Sequence, residues 1–227
     1  SLFSVAQNKE NISYSFTYGY GSVAHTNDFI NGINVDSTKI NNMSSFSFRV
    51  AKQLDGSKAW HHLYNDFTYG IGGFYGHFNY SKNINNPFAL YGFMNFTPLK
   101  IKRFMLKTDI AVGFSFWWDS YSKKDNKYNV AVGTPINCYV NFGLNAYYRL
   151  NDYLQLYLGG SLTHFSNGAI VKPNKGINVL SPQVGISYNP QKMIFKQAKD
   201  TLSYKPSFET LINVYFAEHG IVVNPLK

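Results

Sequence analysis

Charge is scarce in this chain: 15% of its 227 residues are Asp, Glu, Lys or Arg, and only 12 are acidic. Cysteine is scarcer still. The single Cys138 excludes an internal disulfide and any cysteine metal cluster, and its place among apolar positions reads as that of a small hydrophobe. No run of about 18 apolar residues occurs in these residues, so no membrane-spanning helix is predicted in them. What the chain has in quantity is aromatic side chains, 19 Phe, 18 Tyr and 3 Trp, together with 18 Gly, at a mean hydropathy of −0.23. That aromatic content rules out a disordered segment. Aromatic enrichment, abundant Gly and Asn, and weak mean hydropathy point instead to an antiparallel transmembrane β-barrel, with a soluble all-β sandwich or barrel as the alternative.

Period-2 alternation carries the argument further, because successive side chains of a strand point to opposite faces. Ile12, Tyr14, Phe16, Tyr18 and Tyr20 oppose Ser13, Ser15, Thr17, Gly19 and Gly21, and Phe46, Phe48 and Val50 oppose Ser45, Ser47, Arg49 and Ala51. A third segment, about 63–79, is Gly-rich and ambiguous, and a fourth, about 88–97, is apolar on both sides. In the fifth, Phe104, Leu106, Ile110, Val112, Phe114, Phe116 and Trp118 oppose Lys107, Asp109, Gly113 and Ser115. In the sixth, Ile136, Cys138, Val140, Phe142 and Leu144 oppose Asn137, Tyr139, Asn141, Gly143 and Asn145. An interior of Asn, Lys, Asp and Arg inside an exterior of Phe, Leu and Val suits a barrel in lipid. Strand lengths of about ten residues, with Trp117, Trp118, Tyr147 and Tyr148 near strand ends, favour the membrane over water.

Connections alternate in length. Residues 21–41, 80–87, 119–134 and 166–176 read as longer polar loops, and 55–60, 98–102 and 149–153 as short turns. A seventh strand, 154–165, and an eighth, 177–189, follow, and Ser207–Ala217 reads as a ninth. Single-chain bacterial barrels usually have an even strand number, so at least eight strands are expected, with one misread or the barrel extending beyond this chain. Ser1–Gln7 reads as the tail of a secretory signal, and residues 8–227 as a single outer-membrane barrel domain without internal repeats. The net charge of +9 predicts an attraction to polyanions. Its lysines gather in the loops, at Lys82, Lys123, Lys124, Lys127, Lys172 and Lys175. On a barrel those positions face lipopolysaccharide phosphates and not nucleic acid. The oligomeric state stays open, with a homodimer among the options.

The seventh strand holds the chemistry. One face carries Leu154, Leu156, Leu158, Gly160, Leu162, His164 and Ser166, and the other Tyr153, Gln155, Tyr157, Gly159, Ser161, Thr163 and Phe165. His164 and Ser166 thus share the apolar face, about 6.6–7 Å apart at Cα, close enough to meet with suitable rotamers. A serine needs a base to become a nucleophile at neutral pH, and the base needs a third group to hold its tautomer. Asn178 of the eighth strand falls on the same face as Leu180, Val184, Ile186 and Tyr188, and is the natural orienter. Set against this, His164 and Ser166 can equally be interfacial polar residues at a strand end. His61-His62 could bind a metal but has no acidic partner nearby, and His25 and His77 are isolated. Gly19-Tyr20-Gly21 and Gly70–Gly73 precede no helix and so are not phosphate loops.

His164-Phe165-Ser166-Asn167, then Pro173-Asn174-Lys175-Gly176-Ile177-Asn178, then Gly185-Ile186-Ser187-Tyr188 resembles the C-terminal hairpin of the lipid A 3-O-deacylases. The likeness covers about 25 residues in register; upstream strands agree only in pattern. It implies an eight-stranded outer-membrane esterase that removes the 3-linked acyl chain from lipid A without a cofactor or metal. It also implies Ser166 as nucleophile and His164 as base. Asn167, Gly168 and Asn174 become the oxyanion-hole candidates, and the loop lysines Lys172 and Lys175 candidates for contacting the substrate. The family has a glutamate where this chain has Asn178. Asp109 and Glu209 lie on the wrong faces of their strands to replace it. A catalytically weak or inactive barrel that binds lipopolysaccharide, or a small porin, are the competing readings.

Overall fold

The computed structural model describes residues 11–54 and 67–192. The readings of Ser1–Gln7 as a signal remnant, of His61-His62 as a metal pair, of the turn at 55–60 and of a strand over Ser207–Ala217 lie outside those residues, as does Glu209. Eight strands are present: β1 Ile12–Val23, β2 Asn42–Gln53, β3 Thr68–Phe78, β4 Phe88–Ile101, β5 Phe104–Phe116, β6 Asn137–Arg149, β7 Leu154–Ser166 and β8 Ile177–Tyr188. Each pairs antiparallel with the next, and β8 pairs with β1, from Tyr14↔Tyr188 to Val23↔Val179, to close the barrel. Closure leaves no edge strand, which a lipid environment demands because bare backbone N–H and C=O groups find no partner there. The ninth strand is therefore not needed to complete the barrel.

The alternation reads as expected on β1, β2, β6, β7 and β8. Tyr14, Phe16, Tyr18 and Tyr20 face outward, and cross-strand ring pairs such as Phe16–Phe46, at 6.2 Å between centroids, tile the exterior. Two features of the described residues differ from the sequence reading. The connection between β4 and β5 is only Lys102-Arg103, with Lys102 at φ 51°, because β4 runs past a bulge between Phe96 and Leu99 to Ile101. Trp118 is a correction: β5 stops at Phe116, Trp117 adopts φ 69°, and the phase of the chain inverts. Trp117 then lies outside and Trp118 is buried inside, with its indole N–H donating to Ser115 Oγ at 2.9 Å. Of the other end aromatics, Tyr148 faces out and Tyr147 in.

Side chains fill the interior, as an eight-stranded barrel permits. Toward the long-loop end, Phe74, Tyr91, Tyr139, Phe165 and Trp118 form a ring cluster with centroids 5.0–6.0 Å apart. Gly72 makes room for it, since a Cβ there would lie 2.5 Å from Tyr91 Cζ. Adjoining it, Arg49 pairs with Asp109, donates to the Tyr91 hydroxyl at 2.9 Å and stacks 4.6 Å from the Phe93 centroid. Toward the short-turn end, Tyr147 stacks on Tyr157 at 4.4 Å. The long loops carry an apolar core of their own, with Phe29, Ile30, Ile40, Ile84 and Ala131 fully buried, continuous with the ring cluster. Burial of these side chains anchors the loops to the barrel end, where the last residues of β7 emerge.

Candidate active site

Strand β7 runs from the short β6–β7 turn to the long-loop end of the barrel, where its last residues emerge. Its outward face continues Leu158, Leu162, His164 and Ser166, and Leu162 (49%) and Leu180 of β8 (63%) remain exposed beside them. Register places His164 opposite Asn178 on β8 and opposite Val140 on β6. His164 Nδ1 lies 2.7 Å from Asn178 Oδ1. An amide oxygen can only accept, so Nδ1 carries the proton and Nε2 is left with its lone pair. Asn178 is itself held by the β1–β2 loop, where the Ala24 N–H donates to its carbonyl at 2.8 Å.

Ser166 lies opposite Cys138, which is exposed on the same outward face. Its Oγ accepts a long hydrogen bond of 3.4 Å from the Gly168 N–H, with Gly168 at φ 65°. No hydrogen bond joins Ser166 to His164 among the described residues; a catalytic contact of this kind often tightens only once substrate is bound. The two side chains nevertheless border one space. A Cβ on Gly176 would lie 3.0 Å from His164 Cε1 and 3.6 Å from Ser166 Cβ, and Gly176 has φ 72°. Glycine is needed there for the left-handed backbone and for the gap beside the imidazole.

The three oxyanion candidates divide. Gly168 presents its N–H beside Ser166 Oγ. Asn174 Oδ1 accepts from the Asn167 N–H at 3.2 Å, while Asn167 Nδ2 donates to Val171 O at 2.9 Å. Asn167 is buried, so this pair braces the turn around the serine. Lys172 and Lys175 are exposed on the same loop. Asp109 is inside the barrel with Arg49, away from His164. No group of three or more His, Cys, Asp or Glu is arranged to hold a metal ion among the described residues.

Several supports escaped sequence reasoning. The Gly176 N–H donates to Ala131 O, and the Lys175 N–H to Val130 O, both at 3.0 Å. Asn129, fully buried, turns that loop by accepting from the Ala131 and Val132 N–H groups. Gly133 must be glycine because a Cβ would run into the carbonyl oxygens of Val171 and Pro173. The Pro-Asn-Lys-Gly stretch hinted at the left-handed Gly176; nothing in linear spacing indicated partners on other loops.

The family model for lipid A 3-O-deacylase (PagL) matches residues 44–187. Among solved structures, the chain is similar to the outer membrane enzyme PagL at 14% identity and a TM-score of 0.47, over 75% of this chain and 97% of that one. It is similar to Neisserial surface protein A (NspA) at 6% identity and a TM-score of 0.50, over 78% of this chain and 96% of that one. The transport unit of the autotransporter AIDA-I from Escherichia coli aligns at 12% identity and a TM-score of 0.29, covering 82% of this chain and 93% of that one. No match is found among the curated protein sequences. The likeness to NspA is one of fold. The family match, by contrast, runs from β2 through β8 and includes the whole hairpin that carries His164, Ser166 and Asn178. Spanning more than half of the sequence, it shows that this protein belongs to the lipid A 3-O-deacylase (PagL) family of the bacterial outer membrane.

Proposed function

We propose that this barrel is an ester hydrolase that removes the 3-O-linked acyl chain from lipid A, with Ser166 as nucleophile, His164 as base and Asn178 as its orienter. The observation that carries the reading is the 2.7 Å contact of His164 Nδ1 with Asn178 Oδ1 beside Ser166, on the lipid-facing side of the barrel at its outer end. Ser166 Oγ attacks the acyl carbonyl carbon while its proton passes to His164 Nε2, and the carbonyl electron pair moves onto oxygen. The Gly168 N–H, aimed at the serine, stabilises that oxyanion. Collapse breaks the ester bond, and the departing sugar hydroxyl takes the proton from His164. Water then attacks the acyl-serine, with His164 again receiving and returning a proton, and the free fatty acid leaves. The acyl chain need not leave its lipid surroundings, because the exposed Leu162 and Leu180 continue the apolar surface beside the site. Lys172 and Lys175 supply cations for the phosphates of the sugar headgroup.

Mass spectrometry of lipid A incubated with the detergent-purified protein, beside Ser166→Ala, tests this. Loss of one hydroxyacyl chain with the wild type alone is expected. Unchanged lipid A with folded wild type would sink the proposal in favour of a lipopolysaccharide-binding barrel. That second reading draws on one observation, the neutral amide of Asn178 where the family has a carboxylate. A porin role is disfavoured by the ring cluster and the Arg49–Asp109 pair that occupy the described interior.

A further inference from the structure

Gly176 is the pivot of the site. Its Cα side borders both His164 Cε1 and Ser166 Cβ, and its left-handed φ of 72° is a conformation that something must hold. Both of its backbone polar groups are gripped from distant loops. The N–H donates to Ala131 O at 3.0 Å, and the carbonyl accepts from Asn27 Nδ2 at 3.1 Å. Asn27 is 149 positions away in sequence and 7% exposed. Its other amide atom, Oδ1, accepts from the Ile30 N–H at 3.1 Å, and Ile30 and Phe29 are fully buried. The amide is therefore fixed at one end to a buried turn and applies its donor end to Gly176. Three residues earlier on the same loop, Ala24 holds the carbonyl of Asn178.

We infer that Asn27 is a positioning residue for the hydrolytic site. Through Gly176 it sets the spacing of His164 and Ser166, although it touches neither of them. This inference rests on the hydrolase reading above. It assigns a role to the β1–β2 loop, which lies outside residues 44–187 matched by the family model. The chemistry explains the choice of residue. The amide offers its oxygen as acceptor to the Ile30 N–H and its nitrogen as donor to the Gly176 carbonyl, from two separate atoms at once.

Two substitutions separate the two bonds. Asn27→Asp keeps an acceptor for Ile30 and loses the donor, placing carboxylate oxygen against carbonyl oxygen. Asn27→Ser keeps the turn-capping capacity but is too short to reach Gly176. Both are compared with wild type for lipid A turnover and for the rate constant of Ser166 labelling by a fluorophosphonate probe. Misfolding lowers the amount of protein labelled, whereas altered spacing lowers the rate constant. We expect kcat and the labelling rate constant to fall about ten- to a hundredfold, with KM for lipid A unchanged. Wild-type rate constants in both variants, with an active wild type, would overturn the inference while leaving the hydrolase reading intact. A wild type that neither labels at Ser166 nor hydrolyses lipid A removes the hydrolase reading, and this inference with it.

Discussion

Asn178 offers the sharpest test, because a single atom replacement changes charge and little else. In Asn178→Asp the acceptor stays the same length from the backbone, so the 2.7 Å contact to His164 Nδ1 survives, and the amide becomes a carboxylate. A neutral hydrogen bond contributes ~1 kcal/mol net and one to a charged group ~1.5–3 kcal/mol. In the proposed acylation His164 becomes imidazolium, and the carboxylate attracts that cation ~1–2 kcal/mol more than it attracts the neutral ring, a surplus that falls on the transition state. At ~1.4 kcal/mol per tenfold, acylation should accelerate about 5- to 30-fold. The partial exposure of both side chains argues for the lower part of that range. Asn178→Ala should act in the opposite sense, leaving Nδ1 without its partner and the tautomer unselected. The assay is the initial rate of hydroxyacyl release from lipid A in detergent micelles, read by mass spectrometry for the three proteins side by side. Should Asn178→Asp match the wild type, or Asn178→Ala retain full activity, the assignment of Asn178 as orienter is wrong. Asn178→Glu, the family's residue, carries the same charge on a chain one methylene longer, and its gain should depend on whether the hairpin accommodates that length.

The site depends on its glycine, so Gly176→Ala should lower kcat strongly and thermal stability by ~1–2 kcal/mol, since the new methyl meets His164 Cε1 and the Phe165 carbonyl in a left-handed backbone. Inside the barrel, Asp109→Asn leaves the Arg49 charge without its partner, and urea unfolding from lipid vesicles should show a loss of ~3–5 kcal/mol. On the outer loops, hydrogen bonds from Lys82 and then Tyr80 hold the Asp36 carboxyl below its ordinary range, while burial, aided by Asp36, pushes the Tyr80 phenol up to about 12. A lowered acid stabilises the loop above its unfolded value near 3.8 and stops doing so as pH falls through the folded one. The raised phenol stabilises it below 10.0 and stops doing so as pH rises toward about 12. Limited proteolysis of the β1–β2 loop should therefore accelerate below the ordinary carboxylate range and again above pH 10.0, and Asp36→Asn should abolish the acid limb.

What the linear sequence determined is what depends on neighbours two positions apart. Outward Phe16, Phe142 and Leu180 against inward Thr17, Asn141 and Ser181 are a local, period-2 pattern imposed by lipid on one side and a filled polar interior on the other. The shared face of His164, Ser166 and Asn178 follows from the same parity and a hairpin register, and so it too could be read. The signal weakened where hydropathy is mute. Gly70, Gly72, Gly73 and Gly76 left β3 ambiguous because glycine has no side chain to alternate, and the left-handed Trp117 inverted the phase that had placed Trp118 outside. The pairing of β8 with β1, the seating of the loop core around Phe29, Ile84 and Ala131, and the grip of Asn27 on Gly176 were decided only by the tertiary structure. Each joins groups far apart in the chain, and the burial that makes them favourable exists only once the barrel has closed; no spacing along the sequence encodes it.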